Sequence, residues 1–419
     1  MTHSPLLLQL VLILGTARIL SLVLRRLGQP PVIGEMAAGI VLGPIVLGAM
    51  FPDWHARVFE PSSLSALDGL SQLGLVLFMF IVGAEMRAPH GARKQVIAAA
   101  WIGVASVIVP MAFGLAAATL LYSSFAPAGV PFAPFALFMS SAMSITAFPI
   151  MARILKERGM THSVIGQLSL ASAAMADVIA WIMLAMVVVL IDARDDWRRF
   201  GEMLLGLVAL ASVLRVVGRP LLVRMVTRFT RDGRPEGPIL AVLLIGTFAC
   251  AYASSSLGLH PVFGAFLFGA TLPRDDRLLE ALIERVEHVA IIVLMPVFFA
   301  LAGLNTTPSV FAGAGLAALS IVLVAAVAGK LLGGAVGARI AGYRWRTAFA
   351  VGSLMNARAL MELIVMKVGL DAGVIGADMF TMLMVMAILT TFMTGPLLTV
   401  FSAGNGDQET GAAETTARP

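Results

Sequence analysis

Charge is what this chain has least of. Asp, Glu, Lys and Arg make up 13% of its 419 residues, and 59% are hydrophobic; a soluble protein carries about 25% charged residues. Together with a mean hydropathy of +0.93, this excludes an ordinary soluble globule and indicates a polytopic membrane protein. Cysteine is almost missing. Cys250 stands alone in an apolar run, which excludes a disulfide framework and reads as a small core residue. The sequence has no phosphate-binding glycine loop, no cluster with metal-ligand spacing and no nucleophile triad. It therefore points away from an enzyme or an ATP-driven pump, and no cofactor is expected. The net charge of +5 does not imply nucleic-acid binding, because the basic residues sit in short loops. No cleavable signal peptide is expected either: the first apolar run is long and lacks a basic N-terminal flank.

Long apolar runs are what the chain does have. At roughly 20 apolar residues per crossing, the sequence predicts 13 transmembrane spans. They lie near 5–24, 30–49, 66–85, 95–121, 131–153, 163–190, 200–223, 237–256, 260–273, 286–304, 309–338, 346–370 and 378–402. The ninth is short enough to be re-entrant. Residues 1–402 then form one all-α membrane domain. The polar stretch 403–419 is expected to be a disordered cytoplasmic tail. Basic residues are unevenly shared between the two sets of loops, 18 on one side and four (Arg57, Arg194, Arg198, Arg199) on the other. The positive-inside rule puts the first set in the cytoplasm, with the N-terminus outside and the C-terminus inside. An even number of spans would break that alternation.

Asp177 is the most informative residue. It is the only ionisable side chain in the run 164–190, where a carboxylate costs about 2.5–3.5 kcal/mol to insert. Small residues upstream of it would let another helix approach closely. Such a residue is either a structural carboxylate paired with Lys or Arg, or a binder that alternates between a proton and a metal cation. The second role needs a pKa near cytoplasmic pH and further oxygen ligands. Span 5 offers them: Ser140, Ser141, Ser144 and Thr146 precede Pro149, and proline frees a carbonyl one turn back. The alternative is a plain kink whose hydroxyls bond to their own turn.

The second half carries matching features. Lys330, one of four lysines, lies deep in span 11, and Asn356-Ala-Arg358 interrupts span 12. Lys330 either snorkels to the interface, offsets the charge of Asp177, or titrates itself. Arg358 and Glu362 are four apart and able to pair on one helix face; gating and structural roles are both open for them and for Asn356. Glu35 is expected near the cytoplasmic mouth, in a structural or gating role. Paired broken helices in corresponding positions mark the binding sites of transporters. Overall identity between the halves is not evident, so their symmetry rests on where the breakers and charges fall.

In order and spacing, several segments resemble the monovalent cation:proton antiporter-2 family, and most closely its cation/H⁺ exchanger branch. They are Gln29-Pro-Pro-Val-Ile-Gly-Glu35 and its continuation to Pro44, Ser144-Ile-Thr-Ala-Phe-Pro149, Ala176-Asp-Val-Ile-Ala-Trp181, His260-Pro-Val-Phe-Gly-Ala-Phe266, Met295-Pro-Val-Phe-Phe-Ala-Leu-Ala-Gly-Leu304, Gly329-Lys330 and Leu354-Met-Asn-Ala-Arg-Ala-Leu-Met-Glu362. The resemblance covers spans 2 to 13. It implies a sodium/proton-antiporter fold with inverted repeats, in which spans 5 and 12 cross at unwound middles. It also implies a homodimer whose core domains move against a scaffold. On this pattern Asp177 is the ion- and proton-binding aspartate that holds Na⁺ or K⁺, Thr146 and Ser144 belong to the same site, and Lys330 is the basic residue facing it.

The chain departs from the pattern at Ala176, where these exchangers usually place Asp or Asn, and at Arg358-Ala359, where the plant branch often has Lys-Gly. With one carboxylate, electroneutral exchange of Na⁺ or K⁺ for H⁺ is expected. A sodium-coupled organic-solute symporter of related fold and a non-transporting sensor are the alternatives.

Overall fold

The computed structural model describes residues 5–85, 93–161, 163–192, 197–231, 234–235, 237–273, 285–286, 288–358 and 360–402. The predicted tail 403–419, and the loop residues Arg87, Arg194, Arg274 and Arg277, lie outside this set.

Helices α1 (Leu6–Arg25) and α2 (Pro31–Leu42) form the first hairpin. Span 2 is shorter than expected as a single helix: it breaks at Gly43-Pro44, and the short helices α3 (Leu47–Met50) and α4 (Pro52–Val58) follow. Long helices α5 (Pro61–Glu85) and α6 (Arg93–Phe125) come next. Span 5 is split into α7 (Phe132–Ser144) and α8 (Phe148–Glu157), and α9 (Val164–Asp192) carries Asp177. Span 7 is α10 (Trp197–Val213), a π-helical turn at Leu214–Gly218 and α11 (Arg219–Phe229). A hairpin of two-residue strands, β1 (Thr230–Arg231) and β2 (Arg234–Pro235), leads into α12 (Gly237–Ser256) and the ten-residue α13 (Pro261–Ala270). Helix α14 (Met295–Leu304) follows a π-helical turn, and α15 (Ala314–Ile340) carries Lys330. Span 12 is split into α16 (Trp345–Met355) and α17 (Leu360–Asp371); α18 (Ala377–Ser402) closes the described chain. Among the described residues, eight helical stretches are long and apolar enough to cross a membrane, and Phe132–Ser144, Pro261–Ala270 and Ala290–Leu304 are shorter apolar helices.

Close approach between helices depends on small residues, because no hydrophobic force drives association inside lipid. Gly329, Gly333 and Gly337 line one face of α15, and a Cβ on any of them would press on α6 at Pro110, Ala105–Ser106 or Ile102. This four-residue repeat locks α15 against α6.

A second set of close contacts shows the inverted symmetry directly. Pro31-Val-Ile-Gly34 with Gly39 recurs as Pro261-Val-Phe-Gly264 with Gly269, and Phe78 with Gly83 recurs as Phe298 with Gly303. The pairing is exchanged between repeats: α2 packs on α14, and α5 packs on α13. A Cβ on Gly39 would overlap the Phe299 carbonyl, and one on Gly269 would overlap the Phe80 carbonyl. A local repeat is therefore legible in the sequence, where overall comparison of the halves shows little.

Candidate functional site

Helix α7 stops at Ser144 because Ile145 and Ala147 are extended, with ψ of 139° and 93°. Pro149, the second residue of α8, accounts for part of this locally: it has no N–H to donate to the Ile145 carbonyl, so a helix running on from α7 would lose that bond. Helix α16 stops at Met355 and α17 resumes at Leu360. The two gaps cross, and the Ala147 amide donates to the Ala357 carbonyl at 3.0 Å. Broken backbone of this kind survives at membrane depth only when other groups take up its loose ends.

Arg358 and Lys330 do that work. The Arg358 guanidinium donates to the Ala142 carbonyl at 3.1 Å and to the Met143 carbonyl at 2.8 Å. It thereby caps the C-terminus of α7, where the helix dipole favours a cation. Its remaining charge is met by Glu362 Oε1 at 3.0 Å, with both side chains fully buried. Lys330 does not snorkel; it is fully buried. Its ammonium donates to the Ser144 carbonyl, to the Ser106 carbonyl at 3.1 Å and to Thr146 Oγ1 at 2.7 Å. Asn356 donates to the Thr390 carbonyl at 3.1 Å, and Thr391 Oγ1 accepts from the Arg358 amide at 3.1 Å. Helix α18 thus braces the second break as Lys330 braces the first.

Asp177 stands beside this crossing and differs from its neighbours. It is 1% exposed, and neither carboxylate oxygen has a hydrogen-bond partner at full bonding geometry. The Phe148 amide and Lys330 lie near enough to act on it electrostatically. A buried carboxylate without partners is costly, so the geometry suits a group that takes up a small cation or a proton.

The predicted residues thus divide. Asp177, Thr146, Ser144, Lys330, Asn356, Arg358 and Glu362 converge on the crossing. Ser144 contributes its carbonyl there, since its hydroxyl donates back to the Ser141 carbonyl at 2.7 Å. Glu35 lies apart, in a partly open cavity of about 590 Å³ that is also lined by Ala147, Phe148, Glu85, Arg153 and Lys156. Ser106 is the ligand of Lys330 that sequence reasoning missed. Its side chain is a common polar one in an apolar helix, and what it supplies is its backbone carbonyl.

Helices broken at mid-membrane, crossing over buried charges and served by a cavity from one side, define an ion-coupled secondary transporter. Comparison with known proteins narrows the class. The family model for the sodium/hydrogen exchanger transmembrane region matches residues 10–403, and the chain belongs to that family. It is 36% identical over 391 residues to the Na⁺/H⁺ antiporter NhaS4 of Synechocystis sp., covering 93% of this chain and 95% of that protein. It is 35% identical to cation/H⁺ antiporter 17 of Arabidopsis thaliana over 95% of this chain and 48% of that one. With K⁺/H⁺ antiporter 1 of Saccharomyces cerevisiae it shares 32% identity over 94% of this chain and 46% of that one. The chain therefore spans about half the length of these plant and yeast relatives. Among solved structures, the sodium proton antiporter MjNhaP1 of Methanocaldococcus jannaschii superposes with a TM-score of 0.65 at 13% identity, covering 94% of this chain and 97% of that one. That likeness establishes the fold.

Proposed function

We propose that this protein exchanges a monovalent cation, Na⁺ or K⁺, for H⁺ by alternating access, with Asp177 as the shared binding site. The observation that carries this is the buried, unpartnered carboxylate at the crossing of two broken helices. A cation and a proton compete for it, and that competition couples the fluxes without a separate gate. Thr146 and Ser144 supply neighbouring oxygens. Lys330 keeps the broken end of α7 in place as its counter-charge, and Asn356, Arg358 and Glu362 hold the second break. The family relatives named as Na⁺/H⁺ and K⁺/H⁺ antiporters support this cation class over an organic solute.

Ala176 leaves one carboxylate beside Lys330, and the ammonium is already satisfied by carbonyls and Thr146. This supports one-for-one, electroneutral exchange. The distribution of basic loop residues supports an external N-terminus and a cytoplasmic C-terminus, and the family resemblance supports a homodimer in the inner membrane. The test is proton flux in proteoliposomes with a trapped pH dye, adding Na⁺, K⁺, Li⁺ or Rb⁺ to the wild type and to Asp177→Asn. Dye recovery by a cation in the wild type alone is expected. Cation-dependent flux retained in Asp177→Asn removes Asp177 from the role. Transport currents on a solid-supported membrane, beyond leak, would refute electroneutrality.

A further inference from the structure

Two arginines lie inside span 7 and take no part in the crossing. Arg215 sits in the π-helical turn Leu214–Gly218, Arg219 opens α11, and both are exposed on the outside of the protein. Residues 203–231 hold five arginines and no Asp or Glu, and among the described residues no acid pairs with Arg215 or Arg219. The exposed Arg198–Glu202 pair marks the other end of the same span. Measured from that pair along the axis, Arg215 lies about 20–25 Å away and Arg219 about 25–31 Å, against a hydrocarbon thickness of about 30 Å. Arg215 therefore stands short of the membrane edge and Arg219 near it. An outward-facing guanidinium at that depth is costly without an anion beside it.

Pro220 accounts for the turn. It has no amide to donate and its ring crowds the carbonyl four residues back, and the chain widens so that the Arg219 amide donates to the Leu214 carbonyl, five residues back. Arg215 and Arg219 are four residues apart and share one side of the helix. Val208 and Leu204, seven and eleven residues before Arg215, continue that side towards the membrane centre, and both are exposed. The face thus carries two cations at its edge and an apolar strip running inward from them. Among the described apolar helices long enough to cross a membrane, this one is the least buried in protein. It joins α9, which carries Asp177, to α12.

We infer that this face binds an anionic phospholipid of the cytoplasmic leaflet, its phosphate held by Arg215 and Arg219 and an acyl chain lying along Val208 and Leu204. The leaflet follows from the orientation proposed above. Guanidinium groups present paired donors that match phosphate oxygens. A zwitterionic headgroup brings its own ammonium and leaves the arginines uncompensated; a headgroup of net negative charge does not. A second copy of this chain is a poor cover, because a two-fold interface sets the same patch on both sides and would place arginines against arginines.

Native mass spectrometry of the full chain in detergent tests this, with phosphatidylglycerol, phosphatidylcholine of the same acyl chains and glycerol phosphate as probes. The wild type is expected to retain phosphatidylglycerol over phosphatidylcholine and to leave glycerol phosphate unbound. An arginine near the surface contributes about fivefold to the binding of anionic lipid. Arg215→Gln/Arg219→Gln is therefore expected to weaken phosphatidylglycerol binding roughly thirtyfold and to leave phosphatidylcholine unchanged. Arg25→Gln/Arg26→Gln removes the same charge from the exposed end of α1 and is expected to change neither. Equal losses in the two double variants would reduce the effect to general attraction by positive charge and overturn the site. Equal retention of the two lipids by the wild type, a comparison that needs no variant to fold, overturns it as well. Glycerol phosphate bound as tightly as the lipid would remove the acyl chain from the site. A change from dimer to monomer mass in Arg215→Gln/Arg219→Gln would assign the face to a second copy instead.

Discussion

The Arg358–Glu362 pair makes a quantitative prediction possible, because its two members are not equally provided for. Arg358 has three acceptors, the Ala142 and Met143 carbonyls and Glu362. Glu362 has one donor, Arg358, and its Oε2 is already without a partner. Arg358→Met strips Glu362 of its hydrogen-bond donor and nearest counter-charge and uncaps α7 at the same time. Breaking a fully buried pair in this way costs about 3–5 kcal/mol. Glu362→Gln leaves the guanidinium on both carbonyls and is predicted to cost about 1.5–3 kcal/mol, the scale of one charged hydrogen bond. The double variant Arg358→Met/Glu362→Met buries no stranded charge, so it is predicted to recover at least half of the loss seen in Arg358→Met. Unfolding of purified protein in mixed micelles, followed by Trp fluorescence, measures all three. Equal costs for the two single variants, or a double variant as unstable as the sum of the singles, would refute the unequal-partner account.

Two further outcomes follow from the same geometry. Lys330→Met leaves the Ser144 and Ser106 carbonyls and Thr146 Oγ1 without their shared donor. It is predicted to destabilise the protein by about 1–3 kcal/mol and to shift the pH profile of exchange; unchanged melting and an unchanged profile would make Lys330 a bystander. Gly303→Val forces a side chain into the Gly39 carbonyl of α2, where only backbone movement gives room. A loss of about 3 kcal/mol or more and aggregation on size-exclusion chromatography are expected. Gly15→Ala, which meets nothing within 4 Å, is predicted to stabilise by roughly 0.5–1 kcal/mol, and a loss of folded protein there would count against the packing argument.

The sequence by itself determined the medium and the residues to examine. Hydropathy sets the first because a membrane crossing needs a long apolar run. A charge within an apolar run is conspicuous because lipid makes it costly, and Asp177, Lys330, Arg358 and Glu362 all stand out on that ground. The breaks at Ser144–Pro149 and Asn356–Arg358 were legible for a related reason: proline and clustered polar residues are poor continuations of a membrane helix. Only the tertiary structure decided how these groups divide the labour. Lys330 and Arg358 are taken up by backbone carbonyls from distant helices, Ser106 among them, and a carbonyl leaves no mark in a sequence. Among the described charged groups at the crossing, Asp177 is the one with neither side-chain oxygen hydrogen-bonded, beside the crossing of two chain segments some 210 residues apart. The exchange of partners between repeats, α2 on α14 and α5 on α13, was likewise fixed in space, because glycines permit close approach without specifying which helix will make it.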